Sequence, residues 1–292
     1  MGQQAWNGRG KVTFDWRSAD DAVLEAHFNP RAAVGDEAVE AHLGEYLAAA
    51  EAARESWPGT YDIAYGAGPR EALDLHQPAS GGNGALFMFI HGGYWRRFSK
   101  ADHSFAVGGF IERDVTVANV DYDLCPDVTL DDIVAQMKAC LAFVHAHAGE
   151  WGCDPARLFV GGHSAGAHLT AMLLADPAST ALIAGAHCMS GIYETPVVRR
   201  ISVNEEVRLD EAMASRTNAM IRPPARPVPM VVSVGGEEPA GWQAQSAGYA
   251  GIAETAGCAV ERVTVPGANH FSMLFDAVSA GGRSFEAFAA KM

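Results

Sequence analysis

The sequence predicts an α/β protein with a mostly parallel central sheet and helices on both faces. Apolar, strand-like runs alternate along the chain with helical segments, and this alternation is typical of parallel sheets. The run at residues 85–90 contains only apolar side chains, as expected for a central strand that is buried on both faces. With 292 residues the chain has the size of one large α/β domain, so we expect residues 1–292 to form a single domain.

The first half of the chain contains a hairpin, a further core strand and a well-marked helix. Residues 61–65 and 72–77 flank a turn rich in Gly and Pro, which predicts an antiparallel hairpin. Residues 115–120 form the next apolar strand. Thr129 and Asp132 have the spacing of a capping box and predict the start of a helix. That helix has one apolar face, made by Ile133, Met137, Leu141 and Val144.

Two segments fall outside the alternating pattern. Residues 18–57 predict one or two amphipathic helices, with Asp36 as a candidate N-cap and an apolar stripe at Val39, Leu43 and Leu47. Residues 191–227 are polar and rich in Pro. We expect both segments to pack over the carboxyl edge of the sheet as a small helical lid. The alternative is that residues 18–57 simply cover an edge of the sheet.

A nucleophile motif lies at residues 162–166, which read Gly-His-Ser-Ala-Gly. A strand-like run precedes it at residues 157–161, and a helical segment follows it at residues 167–175. This G-x-S-x-G pattern on a strand–turn–helix is typical of an elbow that exposes a nucleophilic serine, here Ser164. The alternative is a Gly-rich turn that contains a buried serine.

A second motif, His-Gly-Gly-Tyr-Trp, follows the strand at residues 85–90. It resembles the HGG-type loop of lipases and esterases, whose backbone N–H groups stabilise an oxyanion. We expect Gly92, Gly93 and Ala165 to form the oxyanion hole. His91 is expected to brace the loop rather than act as a base. Tyr94 and Trp95 are expected to wall the substrate pocket, with core packing the alternative for Trp95.

The base of the serine's triad should follow it in the chain, because the order in this kind of site is Ser, acid, His. His168 lies on the helix that follows Ser164 and cannot turn back to it. His187 lies in a strand-like run, where a hydrogen-bonded core histidine is expected. His270 lies in a loop between a strand and the last helices, so it is the predicted base.

The acid should lie in the turn after the preceding strand, at residues 228–234. Glu237 and Glu238 both lie in that turn, and either could orient the imidazole of His270. The residues themselves do not separate the two. Asp121 and Asp123 precede Ser164 and are expected to brace a loop or end a strand.

The motifs together resemble the kynurenine formamidase-like branch of the α/β-hydrolases and related esterases near the hormone-sensitive-lipase group. The resemblance is carried by HGGYW, GHSAGAH, SGIY and PGANHF, and it runs from about Phe14 to the C-terminus. It implies an α/β-hydrolase fold. In that family the acid turn continues into an aromatic residue and ends in Gln-Ser. Trp242 and the pair Gln245-Ser246 fit this pattern and imply Glu238 as the acid, where relatives often have Asp.

This resemblance implies a serine hydrolase that acts on a small N-acyl aryl amide, such as an N-formyl compound. A short-chain carboxylesterase is the alternative. A second alternative is a non-catalytic protein of the same fold that binds a small molecule. An intact set of Ser164, Glu238 and His270 favours an enzyme, because a binding protein needs none of the three. The acyl-transfer mechanism needs no cofactor.

Composition narrows the remaining classes of function. The net charge of −14 argues against nucleic acid and anionic membranes as partners. No apolar run is long enough for a transmembrane helix, and residues 1–7 do not resemble a secretory signal, so a cytoplasmic location is expected. No metal-binding motif is found, and the partner is expected to be a small-molecule substrate, with a homodimer left open. The cysteines are expected to be free thiols: Cys125, Cys140, Cys153, Cys188 and Cys258.

Overall fold

The computed structural model describes residues 14–292, so the expectation about a secretory signal at residues 1–7 lies outside the described residues. Within the described part, eight strands form one sheet in the order β1-β2-β4-β3-β5-β6-β7-β8. The strands are β1 (Gly59–Ala64), β2 (Ala72–His76), β3 (Leu86–Ile90), β4 (Thr116–Val120), β5 (Leu158–His163), β6 (Gly185–Met189), β7 (Met230–Gly235) and β8 (Val260–Val265).

The sheet is mostly parallel, as predicted. Strands β1 and β2 form the expected antiparallel hairpin, and β2 also pairs antiparallel with β4. The pairings from β4 through β3 to β8 are all parallel. Ile90 at the end of β3 is in register with Gly162 of β5, so the two motif-bearing loops leave the sheet side by side.

Helices connect the strands and cover both faces. The α-helices are α1 (Asp21–Phe28), α2 (Pro30–Val34), α3 (Asp36–Ser56), α4 (Gly108–Ile111), α5 (Leu130–His147), α6 (Ala165–Ala175), α7 (Pro177–Thr180), α8 (Asn204–Val207), α9 (Glu211–Arg216), α10 (Ala240–Thr255), α11 (Ser272–Val278) and α12 (Arg283–Ala289). Short 3-10 helices lie at Ala101–Val107, Pro155–Arg157, Thr195–Arg200 and Ala219–Ile221. Helix α5 begins with the predicted capping box of Thr129 and Asp132.

The core lies on both sides of the sheet because alternate side chains of a strand point to opposite faces. In β3, Leu86, Met88 and Ile90 join the apolar cluster that contains the buried faces of α5 and α6. Phe87 and Phe89 join the opposite cluster, which contains side chains of α3, α11 and α12. The prediction of helices on both faces is therefore confirmed.

Helix α3 differs from the sequence-based expectation in its cap and its buried face. Gly35, with φ +86°, precedes the helix, and Asp36 is its first residue and pairs with Arg31 at 2.8 Å. The N-cap prediction for Asp36 was therefore wrong. Leu47 is 58% exposed. The buried face continues from Leu43 to Tyr46, three positions later, instead of to Leu47, four positions later. The buried residues of this helix are Val39, Tyr46, Ala50 and Ala53.

The segment at residues 191–227 is polar in composition, but it buries many of its apolar side chains. Its short helices bury an apolar side made by Val197, Val198, Ile201, Val203, Val207, Leu209, Met213, Ala214 and Ala219. Polar contacts join this segment to α1. Glu25 accepts a hydrogen bond of 2.8 Å from the backbone N–H of Ser202, and Arg200 pairs with Asp21 at 2.7 Å. The two segments expected to form a lid therefore contact each other.

Candidate active site

Ser164 lies in a strained turn between β5 and α6. Its φ of 57° and ψ of −113° are rarely adopted by residues other than glycine. The flanking glycines allow the turn to pack against the end of β3. A Cβ on Gly162 would lie 2.6 Å from the carbonyl oxygen of Ile90, and a Cβ on Gly166 would lie 2.0 Å from the same atom. The strand–turn–helix context predicted for the serine is therefore present.

Three side chains form one continuous hydrogen-bonded chain at this turn. His270 Nε2 lies 3.0 Å from Ser164 Oγ, and His270 Nδ1 lies 2.7 Å from Glu238 Oε2. All three residues are at least 95% buried. This geometry allows the hydroxyl to donate to the imidazole, and the imidazole to donate to the carboxylate. The structure brings together the predicted nucleophile, base and acid, whose catalytic roles remain predictions.

The structure separates the two glutamates that the residues alone did not. Glu238 contacts His270, whereas Glu237 is exposed to solvent. The second carboxylate oxygen of Glu238 accepts a hydrogen bond of 2.7 Å from the backbone N–H of Gly235 and another from the hydroxyl of Ser190. These donors leave the first oxygen free to orient the imidazole.

Two buried aromatic side chains that the sequence analysis did not assign hold the His270 loop. His163 donates from Nε2 to the carbonyl oxygen of His270 at 2.9 Å. Burial holds the pKa of His163 well below its usual range, and the neighbouring His270 lowers it further, so His163 is neutral. The ring of Trp242 lies 4.2 Å from that of His270. Only the adjacency of His163 to Ser164 in the chain could have indicated its place.

The predicted oxyanion residues surround Ser164. A Cβ on Gly92 would lie 3.2 Å from the Cβ of Ser164, so this loop passes directly beside the hydroxyl. Gly93 has φ +107°, and a Cβ there would lie 2.2 Å from the carbonyl oxygen of Arg97. Among residues 14–292, the amides of Gly93 and Ala165 have no hydrogen-bond acceptor. Both amides are therefore available to a ligand beside Ser164.

A cavity of about 330 Å³ opens above Ser164 and His270. Its apolar lining comes from the two lid segments, the segment that follows the HGG motif and the His270 loop: Val39, Leu43, Tyr46, Val203, Phe98 and Phe271. Tyr94 also lines the cavity, and its hydroxyl donates to the carbonyl oxygen of Phe28 at 2.5 Å. This volume lies within the range of small-molecule sites.

Trp95 does not line this cavity. It is fully buried and packs edge-on against His168, with ring centroids 4.9 Å apart. The expectation that Trp95 walls the pocket was therefore wrong, and the alternative of core packing applies. Both residues have positive φ, 51° for Tyr94 and 57° for Trp95, and their adjacent rings enter different environments.

The remaining histidines occupy the places that the sequence analysis gave them. His168 donates from Nε2 to the carbonyl oxygen of Thr217 at 2.7 Å, and burial lowers its pKa to about 4. Nε2 of His187 contacts the hydroxyls of both Ser233 and Ser284, and burial lowers the pKa of His187 to about 3. Neither imidazole is hydrogen-bonded to the hydroxyl of Ser164.

Within residues 14–292, no group of three or more His, Cys, Asp or Glu side chains could hold a metal ion. The five cysteines are buried and free of disulfides. In the same part of the chain, no helix is both long and apolar enough to cross a membrane.

The order of the eight strands and the strained serine between β5 and α6 define an α/β-hydrolase. Comparison with known proteins agrees with this class. A solved structure from Silicibacter sp. TM1040, provisionally described as a thioesterase, aligns with a TM-score of 0.76 at 26% identity, covering 94% of this chain and 98% of its own. The thermostable carboxylesterase EstE1 aligns with a TM-score of 0.69 at 18% identity, over 94% of this chain and 96% of its own.

Within that class, the chain is similar to kynurenine formamidases. The enzyme of Salmo salar is 28% identical over 89% of this chain and 92% of its own length. The family model described as BD-FAE matches residues 73–188. These similarities confirm the resemblance that the motifs indicated, and they support a hydrolase of the formamidase or esterase type.

Proposed function

We propose that this protein is a serine hydrolase that forms an acyl-enzyme on a small N-acyl aryl amide of the N-formyl type. The observation that carries the proposal is the hydrogen-bonded chain Ser164–His270–Glu238 at the base of the cavity. The similarity to kynurenine formamidases supports an amide substrate with an aromatic leaving group.

The proposed reaction begins with the attack of Ser164 Oγ on the substrate carbonyl carbon. His270 Nε2 takes the hydroxyl proton as the new C–O bond forms and the carbonyl electron pair moves to oxygen. His270 then delivers this proton to the amide nitrogen, the C–N bond breaks, and the aryl amine leaves. Water repeats the same steps, releasing the carboxylic acid and restoring Ser164.

The N–H groups of Gly92, Gly93 and Ala165 are proposed to stabilise the oxyanion. Fixed donors of this kind stabilise charge that develops only in the transition state, so they increase kcat. The buried carboxylate of Glu238 is proposed to hold the imidazole in the required tautomer and to stabilise its cation.

The two segments at residues 18–57 and 191–227 are proposed to form the lid of this site. Both contribute side chains to the cavity, from Val39 and Leu43 on one side and Val203 on the other. The second half of α3 packs instead against the 3-10 helix at Ala101–Val107 and the core below it. These contacts support a first segment that covers both the site and part of the sheet.

The side of the cavity next to the oxyanion hole is expected to admit only small acyl groups. The side chain of Tyr94 lines this part of the cavity. The loop beside it is tightly packed, because a Cβ on Gly93 would lie 2.8 Å from the ring of Phe98. Formyl and acetyl groups are expected to fit, and chains beyond about four carbons to clash. In a roomy pocket each added methylene would gain about 0.8 kcal/mol. The value of kcat/KM should therefore fall, rather than rise, from acetyl to hexanoyl esters.

The test is one activity screen on the wild-type protein and the Ser164→Ala variant. The substrates are N-formylkynurenine, other N-acyl anilines and p-nitrophenyl esters of graded chain length. We expect the formyl aryl amide to give the highest kcat/KM. Ser164→Ala should lower kcat by about 10⁴ or more while the protein remains folded. Near-normal turnover by the folded variant would reject the serine mechanism.

The second candidate is a short-chain carboxylesterase. The apolar part of the cavity lining, with side chains such as Val39 and Leu43, favours it, because these side chains would also accept the alcohol part of a small ester. Esters turned over faster than every anilide tested would select this function. A steady rise in kcat/KM through octanoate would reject the small-acyl pocket for both candidates.

A further inference from the structure

His91, at the start of the HGG loop, places both of its ring nitrogens against oxygen atoms. Nδ1 lies 2.7 Å from the carbonyl oxygen of Gly92, and Nε2 lies 3.0 Å from Oδ1 of Asp121. A carbonyl oxygen can only accept a hydrogen bond, so Nδ1 carries a proton.

The second contact requires a proton on Nε2 as well. The same oxygen of Asp121 accepts from the guanidinium of Arg70 at 2.7 Å and from the backbone N–H of Tyr122 at 3.1 Å. An oxygen that receives these donors is not itself a donor to His91. Burial raises the pKa of Asp121, but the hydrogen bonds and charges of His91 and Arg70 outweigh burial and lower it, so the carboxyl is ionised. An imidazole that donates from both nitrogens is an imidazolium.

The surroundings of His91 suit a buried cation. Its ring is fully buried and stacks on that of Tyr122, with centroids 4.3 Å apart and planes 9° apart. His103, on the neighbouring 3-10 helix, stacks 5.6 Å away, and burial lowers its pKa to about 3, so it is neutral. The charged groups that face His91 are therefore Asp121 and, through it, Arg70.

The carbonyl of Gly92 belongs to the same peptide group as the N–H of Gly93. A cation that donates to this oxygen fixes the plane of the peptide and increases the positive charge on its hydrogen. The hydroxyl of Tyr122 adds a longer contact to the same oxygen at 3.4 Å. The N–H of Gly93 has no acceptor among residues 14–292 and lies in the proposed oxyanion hole.

We propose that His91 is a positioning residue that acts as an imidazolium, held by Asp121, to orient and polarise the Gly92–Gly93 peptide toward the oxyanion. This inference rests on the proposed serine mechanism. It goes beyond bracing of the loop, because it requires a charge on His91 and a carboxylate that maintains it.

The first test is ¹⁵N NMR of the full chain labelled at histidine. The signals of His91 are assigned by their loss in His91→Asn, or by their shift in Asp121→Asn if the first variant does not fold. We expect protons on both ring nitrogens at neutral pH. A His91 ring with one unprotonated nitrogen would overturn the proposal.

The second test compares Asp121→Asn with Asp123→Asn in the hydrolysis of p-nitrophenyl acetate at neutral pH. Asparagine keeps the acceptor oxygen but removes the charge. Asp123 is a matched control, because it is also buried and also accepts from Arg70, at 3.0 Å from its backbone N–H, but does not contact His91. We expect Asp121→Asn to lower kcat by about 10-fold or more with KM little changed, a smaller loss than deletion of an oxyanion donor.

The split between kcat and KM distinguishes loss of the charge from structural damage. Asp121→Asn is expected to lower kcat while KM stays close to the wild-type value, and Asp123→Asn is expected to change neither. Equal losses of kcat in the two variants would overturn the proposal. A separate control tests the serine mechanism. The wild-type protein is treated with a fluorophosphonate, and labelling of Ser164 is measured by mass spectrometry. If Ser164 of the wild type is not labelled, the proposed function is rejected, whatever the protonation state of His91.

Discussion

At the scale of single residues, the strained backbone of Ser164 has a measurable cost. Its φ of 57° and ψ of −113° disfavour every residue except glycine, by about 1–3 kcal/mol. We therefore expect Ser164→Gly to be more stable than Ser164→Ala by about 1 kcal/mol, since both lack the hydroxyl and only glycine relieves the strain. Urea unfolding of the two variants measures this difference, and equal stability would contradict the strain.

The acid of the triad provides a second residue-scale prediction. Glu238→Gln should lower kcat by about 10⁴, because an amide can hold His270 in the wrong tautomer and does not stabilise its cation. Glu237→Gln is the matched control, since this neighbouring side chain is exposed and does not contact His270. It should change kcat by less than about twofold, as surface substitutions usually do. A larger loss in the control would show that Glu237 is the acid.

Motif and chain order were sufficient to predict the contact between Ser164 and His270. They could not separate Glu237 from Glu238, because adjacent residues in a turn differ only in the direction of their side chains. The same limit applies to Tyr94 and Trp95, which have nearly equal φ yet enter the cavity and the core respectively. His163 was missed because its contact, the carbonyl of His270, is 107 residues away in the chain.

At the scale of elements, the elbow depends on close contact between α6 and β3. A Cβ on Gly166 would lie 2.0 Å from the carbonyl oxygen of Ile90, which the pairing of β3 with β5 holds in place. We expect Gly166→Ala to lower the free energy of unfolding by at least about 2 kcal/mol. Gly149→Ala is the control, because a Cβ there meets no atom within 4 Å.

Both glycine variants are measured by urea unfolding and by hydrolysis of p-nitrophenyl acetate. Gly149→Ala should leave stability within about 0.5 kcal/mol of the wild type, as for most surface substitutions. If Gly166→Ala were equally mild, the elbow would have to tolerate a shift of α6, and the close packing would not be what positions Ser164.

Elements were predictable where one local signal decided them. Helix α5 begins at its capping box and buries its apolar stripe, and β3 is a continuous apolar run. Helix α3 was less predictable, because two alternative stripes, through Tyr46 or through Leu47, have similar spacing. The stripe through Tyr46 packs against the core beside the 3-10 helix at Ala101–Val107. This tertiary contact cannot be predicted from the helical period.

At the scale of the whole molecule, the parallel sheet and its two helical layers followed from the alternation of apolar runs and helices. The arrangement of the lid segments did not, because their packing depends on contacts between residues that are far apart in the chain. Glu25 and Ser202, for example, are 177 residues apart and are joined by two hydrogen bonds. No periodic pattern in either segment identifies the other as its partner.

Buried neutral histidines should make the stability of the whole molecule depend on pH. Burial lowers the pKa of His103 and His187 to about 3 and that of His168 to about 4, and it holds the pKa of His163 well below 6.5. In the unfolded chain each group has a pKa near 6.5. Below that pH the unfolded state binds more protons than the folded state, so stability falls as the pH falls.

The expected loss at pH 5.5 is on the order of 1 kcal/mol for each of these histidines. Carboxylates affect the free energy of unfolding only at lower pH. The pKa of Asp176, for example, is lowered to about 2 by its hydrogen bond with Lys138. We therefore expect urea unfolding to show a marked loss of stability between pH 7.5 and pH 5.5. In His187→Gln this loss should be about 1 kcal/mol smaller, because one group no longer binds a proton on unfolding. His145→Gln is the control, at a partly exposed position on α5, and it should lose as much as the wild type. An equal loss in His187→Gln would mean that His187 binds its proton as readily in the folded protein as in the unfolded chain.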